Sequence, residues 1–521
     1  MLDDAVAAYL DAVVNERAFD EPLLAVIRSQ GFTDVHLVHG QREFGKDVIG
    51  RRDGEQWAWQ SKIGNIGQSQ WRDLVGQLDE LRLVNLGHGA FDTTLPRKPV
   101  LVTTGRLTGN APELYRDYND RADVRGEPKL ELWTRDHLLG LLSGNPDAML
   151  RGSMDGQLLA VLGSVDAQTA TIAGLELFSR RWTAWEPDRL AGLGVIEAAL
   201  VCDRLRTADR LDLACHLALC LVRGAWASRT ENLAAAGAAD AAGALFETYT
   251  QILVGECDDR LLSANGLVAY SGPAAWVTYP LRCVRTAEML ALLALRLEAR
   301  DAERAEELRK WLTTFAAAQP GLARPLGDQY AVSMIPIVIA LARESSESAK
   351  DLLRRCAIWL CDAYEPGQLG LAGVDVEPKE EVERIIGAPF EAVTLERRSG
   401  SILATVLLDL CAALGLDELY ADVYNNIYAV KIYPQVLRLA EGPDEYIRTG
   451  RSNRLDPHVD FAEELGGADP VAPHHRDAAG RTLTEGGRTW DLLAISSALR
   501  DRHFVRALNT STFGILGRFE D

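Results

Sequence analysis

Residues 43–62 read EFGKDVIGRRDGEQWAWQSK, and the fold of the first part of the chain turns on them. Asp53-Gly54 is a strong two-residue turn signal, and the runs on either side, 47–52 and 55–63, have the length and residue types of strands. The stretch therefore reads as a β-hairpin. Side chains alternate faces along a strand, so Ala58, Gln60 and Lys62 share one face while Trp57, Trp59 and Ser61 share the other. Asp47 sits at the mouth, just after Gly45, where a flexible residue lets the backbone turn before pairing begins. One carboxylate, one amide and one lysine are thereby expected to converge on a single point.

Asp47, a hairpin, then Gln60-Ser61-Lys62 resembles the PD-(D/E)xK nuclease signature, in the variant typical of Mrr-like restriction endonucleases where Gln replaces the second acid. The surrounding pattern agrees with the resemblance. A helix-like stretch, FDEPLLAVIRSQGF at 19–32, precedes the first strand at 33–39, and a helix from Ser69 follows the lysine strand. KPVLVTTG at 98–105 and KLELWTRDHLLGLL at 129–142 look like the last two strands of that core with a closing helix. The likeness covers the first 145 residues and nothing beyond. It implies an α/β restriction-endonuclease-like core, a mixed sheet flanked by helices.

In the resembling families a helix acid also reaches the site. Spacing to Gly31 selects Asp20 and residue type selects Glu21, and both stay open. The alternative for each is capping, because an acid beside Pro22 suits a helix N-terminus. The resemblance further implies Mg2+ (or Mn2+), a hard cation that takes oxygen ligands: Asp47, the Gln60 amide oxygen, the Ser61 carbonyl and waters. Lys62 would orient the attacking water and offset negative charge on the phosphate.

The composition is that of an ordinary soluble protein: 521 residues, 47% hydrophobic and 25% charged, enough for two to four domains. A net charge of -20 is the wrong sign for a protein that coats nucleic acid by bulk attraction, so any DNA contact must be local. All eight cysteines lie between Cys202 and Cys411, with Cys215/Cys220 and Cys356/Cys361 five apart inside helical stretches. Residues at that spacing point to different helix faces, so reduced, buried thiols of a cytoplasmic protein are expected rather than a ligand set. Asp3 and Asp4 argue against a secretory leader, and no apolar run is long enough for a membrane span.

Along the chain, residues 2–17 form an amphipathic helix that caps the core, through Leu2, Val6 and Leu10. His36 and His39 read as strand or loop polar residues rather than ligands. Ser69 is an N-cap candidate, and Trp71, Leu74, Val75, Leu78 and Leu81 recur at helical spacing as a core face. Thr103, Thr104 and Arg106 follow the fourth strand, where they either touch phosphate or simply end the strand.

Residues 146–157 carry the Gly, Ser, Pro and Asp load of a linker. Beyond it, 158–521 is an all-α region of Ala- and Leu-rich stretches at 157–181, 188–206, 209–227, 232–256, 285–317, 328–364 and 399–428. Helical hairpins side by side suggest an α-solenoid, while the lack of a clean repeat allows a compact irregular domain. A further boundary is placed at 365–398. The polar tail 451–489 carries His458, His474 and His475, read as loop histidines, before a last helix near 490–507.

The expected activity is therefore Mg2+-dependent endonucleolytic hydrolysis of DNA, in a restriction or anti-phage defence effector whose helical region senses or binds a protein partner or oligomerises. Two alternatives stand beside it. One is a non-catalytic scaffold carrying an inactive nuclease-like core, and the other is a nuclease acting on RNA or branched DNA.

Overall fold

In the computed structural model Asp53 and Gly54 take φ of 53° and 76°, the paired positive values that match a two-residue turn to the twist of its strands. The structure describes residues 2–13, 15–38, 44–150, 156–227, 233–256, 259–270, 275–373, 376, 378–387, 389, 395–434 and 489–499. His39, His458, His474 and His475 lie outside the described residues. Two compact units divide the chain: Met1–Thr169 with Trp185–Arg204 and Arg229–Ala241, and Ala170–Ala184 with Leu205–Ser228 and Ala242–Asp521.

The first unit runs α1 (Leu2–Ala12), α2 (Glu16–Ser29), β1 (Thr33–Leu37), β2 (Val48–Arg52), β3 (Glu55–Lys62), α3 (Gln68–Leu83), β4 (Arg97–Thr103), α4 (Ala111–Val124), β5 (Glu131–Trp133) and α5 (Arg135–Ser143). The five strands form one mixed sheet in the order β1-β2-β3-β4-β5. β1, β2 and β3 pair antiparallel, with Val48 opposite Trp59, whereas β3, β4 and β5 pair parallel, with Lys62 opposite Thr103. β3 is the middle strand and is buried from Gln56 to Ser61. One face of the sheet packs Ile49, Ala58 and Leu101 against Trp71, Leu74, Leu78 and Leu81 of α3. On the other, Phe32 meets Trp57 and Trp59 edge-on at 5.0 Å each, a geometry that suits the ring quadrupoles.

Three expected boundaries move. The first helix ends at Ala12 and the second begins at Glu16, not after residue 18, because Asn15 caps α2 by accepting from the Ala18 N–H. Pro22 is inside α2, not at its start. α3 is capped at Gly67 instead of Ser69. Helix α4 is one that the sequence reading passes over: its sequence is polar, yet Tyr115 and Tyr118 stand edge-on to Trp71 and anchor it. The stretch 146–157 is also not a plain linker, since the 3-10 turn Pro146–Leu150 packs on α2 and buries Ala148, Met149 and Leu150.

The second unit is largely helical rather than all-α as expected, since Gly400–Ser401 pairs parallel with Tyr433–Pro434. Leu211–Ala227 is buried almost all round, which marks it as a core helix. Ala275–Leu297 packs on Ala302–Ala318 and Ala331–Glu344, and Ser346–Ala363 packs on Ile402–Ala413. The expected single stretches at 285–317 and 328–364 are thus each two helices. Thr489–Leu499 returns to Leu211–Ala227. A contact between elements so far apart in sequence is not the neighbour-only stacking of a solenoid, so the irregular alternative describes this unit. Within 365–398, Pro378–Ile386 is helical. Among the described residues, no helix is long and apolar enough to cross a membrane.

Candidate active site

The start of β2 and the carboxyl ends of β3, β4 and β5 lie at one end of the sheet, the end where parallel strands ordinarily present their ligand sites. Asp47 is fixed there through its backbone, donating its N–H to Trp59 O at 2.8 Å and accepting from Val38 N at 2.8 Å. Its side chain turns across the end of β3. Asp47 Oδ2 accepts from Gln60 Nε2 at 2.9 Å, from the Ser61 N–H at 2.6 Å and from Ser61 Oγ at 2.9 Å. Among the described residues, Oδ1 accepts no hydrogen bond.

Peptide groups along a strand point to alternate edges. Trp59 O faces Asp47 on the β2 edge, and Lys62 O accepts from Thr104 N on the β4 edge. The Ser61 carbonyl accordingly faces the Asp47 side, beyond the last residue of β2. Lys62 Nζ meets Glu16 Oε1 at 2.9 Å, with the two side chains 19% and 44% exposed. The site is therefore open on the Glu16 side and closed on the strand side, where Gln60 and Ser61 are buried.

The helix acid paired with Lys62 is Glu16, the first residue of α2, which the expected pair Asp20 and Glu21 does not include. Asp20 lies one turn further along the same side of the helix and is buried, and Glu21 is exposed. Spacing to Gly31 and residue type point past Glu16, to Asp20 and Glu21, because neither uses the helix cap. The available signal was Asn15-Glu16 itself, a preferred N-cap followed by an acid in the first turn.

Burial pushes the Asp47 carboxyl above its usual range; the Ser61 hydrogen bonds and Lys62 pull it down, and the Glu16 charge adds to the rise. Two carboxylates around one point with a single ammonium between them leave net negative charge, which a divalent cation would offset. The donor set suits a hard ion: Asp47 Oδ1, the Gln60 amide oxygen, whose nitrogen is committed to Asp47, the Ser61 carbonyl and Glu16. Among the described residues, no three His, Cys, Asp or Glu side chains gather into a metal-holding group. The neutral amide and carbonyl oxygens would have to complete the shell, which makes a weak cage.

The other candidates are structural. Thr103 Oγ donates to Gly64 O at 2.6 Å and Thr104 Oγ accepts from Gly64 N at 2.9 Å, and both threonines are buried. They lock the loops after β3 and β4 together. Gly105 is required for that closure, since a Cβ there would stand 2.3 Å from the Gly64 carbonyl carbon. Arg106 is exposed on the rim and paired with Asp136 at 2.7 Å. His36 is exposed on β1, with its ring 5.2 Å from that of His88.

Comparison of the chain with protein-family models, with curated proteins and with solved structures finds no match.

Proposed function

We propose that the first unit is a metal-dependent endonuclease with a restriction-endonuclease-like core, hydrolysing DNA phosphodiester bonds. The observation that carries this reading is the meeting of Asp47, Gln60, Ser61, Lys62 and Glu16 at the open end of a five-stranded mixed sheet. A bound Mg2+ or Mn2+ would supply Lewis-acid stabilisation of the phosphorane and a more acidic water. Asp47 presents Oδ1 while three donors hold Oδ2 still. Gln60 keeps that carboxylate in place without adding charge. Lys62 leaves Glu16 to hold the attacking water and to stabilise the charge that develops on the phosphate oxygens. Each part then acts on a group that the substrate brings within reach.

The proposed setting is the cytoplasm, which the free cysteines favour. The proposed role of the second unit is to bind a protein partner or to oligomerise, as a defence effector would require. Net charge of -20 and the Lys62–Glu16 pair support one rival reading, an inactive core on a helical scaffold. The test is cleavage of plasmid DNA with Mg2+ and an EDTA control. Asp47→Ala and Lys62→Ala are each expected to abolish cutting with the fold intact, and undiminished cutting by either variant removes the assignment.

A further inference from the structure

Lys46 is wholly buried beside the open end of the sheet. Its Nζ donates to Phe44 O at 2.9 Å and to Glu80 O at 2.8 Å. Glu80 belongs to the last turn of α3, where carbonyls have no further helical partner except the capping N–H of Val84. A lysine with no water around it is costly unless it is held, and an apolar residue of that length would fill the same space. The ammonium is used for something a methyl group cannot do: it ties two backbone carbonyls, one in the 44–47 loop and one in a helix, to a single point.

Gly45 shows how close that loop lies to the helix. Its φ is +67°, and a Cβ on it would stand 2.3 Å from Gln77 O and 3.3 Å from Leu81 N. The loop is therefore pressed on the α3 backbone at Gly45 and fastened to it at Lys46. The next residue is Asp47, whose backbone closes the β2 ladder and whose carboxylate meets Gln60 and Ser61. The fastening and the carboxylate share one peptide bond.

We infer that Lys46 is a positioning residue for a divalent cation: its tie of the 44–47 loop to the last turn of α3 acts with the Trp59 and Val38 backbone bonds to set where Asp47 Oδ1 stands. The inference rests on the metal-site reading above and adds to it a residue outside the Asp-Gln-Lys set. A carboxylate placed by a buried tie loses little entropy when a cation arrives, whereas one on a loose loop must be ordered first. Metal affinity is the quantity that the tie controls.

The experiment is calorimetric titration of the full chain with MnCl2, with folding checked by circular dichroism. Lys46→Met keeps the volume and removes the ammonium, and Gly45→Ala lifts the loop off α3 by a different route. Each is expected to weaken Mn2+ binding by about 10- to 100-fold, the usual cost of losing a residue that orients a metal ligand. Gln56→Leu is the control for mere destabilisation. Gln56 is equally buried and pins Gly50 O and Asp92 N at the opposite end of β3, so its loss should lower stability and leave Mn2+ affinity unchanged. Wild-type affinity in both Lys46→Met and Gly45→Ala, or an equal loss in Gln56→Leu, overturns the inference. A wild type that takes up no Mn2+ overturns the metal-site reading itself, and this inference with it.

Discussion

Replacing Gln60 by Glu would restore the second acid of the motif and should exchange stability for metal dependence. In the wild type Gln60 Nε2 stands 2.9 Å from Asp47 Oδ2. A carboxylate oxygen in its place would repel Asp47 by about 6 kcal/mol at an effective dielectric near 20. The pair avoids that by keeping a proton, and protonating a group of ordinary pKa near 4.3 at pH 7 costs about 4 kcal/mol, which is the upper limit of the penalty. Gln60→Glu without metal should then lose about 2–4 kcal/mol, which lowers Tm by roughly 5–15 °C in a unit of this size. The penalty should shrink to about 1 kcal/mol at pH 5, where the proton is nearly free. Saturating Mg2+ should reverse it, and tenfold tighter metal binding would add about 1.4 kcal/mol to the metal-induced stabilisation. Thermal unfolding of both proteins, with Mg2+ and with EDTA at the two pH values, measures all of this. Equal Tm values in EDTA together with equal Mg2+ shifts would refute the reasoning, because the two side chains would not then be neighbours.

Three further outcomes are expected. Glu16→Gln should cost at most about 1 kcal/mol, since the Lys62 pair is partly exposed. It should nonetheless weaken metal-dependent cleavage and, by removing the charge that raises Asp47, shift the acid limb of the pH–rate profile to lower pH. Because the folded-state pKa of Asp47 is raised, its contribution to stability is present below the ordinary carboxylate pKa and lost as pH rises through the folded value. Asp47→Asn, which keeps one oxygen for the three donors, should therefore be inactive yet at least as stable as the wild type at pH 7 by denaturant titration. In the helical unit, His216 is wholly buried with neither ring nitrogen hydrogen-bonded, and burial, with Arg285 nearby, pulls its pKa down to about 3. The unfolded chain gains that proton first, so stability should fall by up to about 1.4 kcal/mol per pH unit below pH 6.5. His216→Leu should flatten that slope.

Much of the first unit was legible because its signals are local. Asp53-Gly54 fixes a turn by backbone conformation alone, and the register that follows places Asp47 beside Gln60 without any long-range information. The helix acid was not, because spacing to Gly31 and residue type point to Asp20 and Glu21, whereas the cap at Asn15 puts Glu16 in the first turn of the helix. Helix α4 was hidden by its own composition: its sequence is polar, and Tyr115 and Tyr118 are held by groups outside it, Trp71, the Leu130 carbonyl and Asp79. Lys46 was invisible in principle, since a lysine in a glycine loop reads as solvated until the carbonyls around it are known. In the helical unit, periodicity found helices but not their partners. Nothing in Thr489–Leu499 announces that it packs on Leu211–Ala227, because periodicity marks a buried helix without naming the face's partner.

The central claim is that Glu16 of α2, Asp47 just before β2, and Gln60 and Ser61 of β3 form one cation site beside Lys62. Crystals grown or soaked with MnCl2 and measured at the manganese absorption edge would test it most directly. The account predicts an anomalous peak within about 2.5 Å of Asp47 Oδ1 and of the Ser61 carbonyl oxygen, with Gln60 and Glu16 on the same ion, directly or through water. Crystals that show manganese elsewhere, or none at this end of the sheet with Lys62 still paired to Glu16, would contradict it.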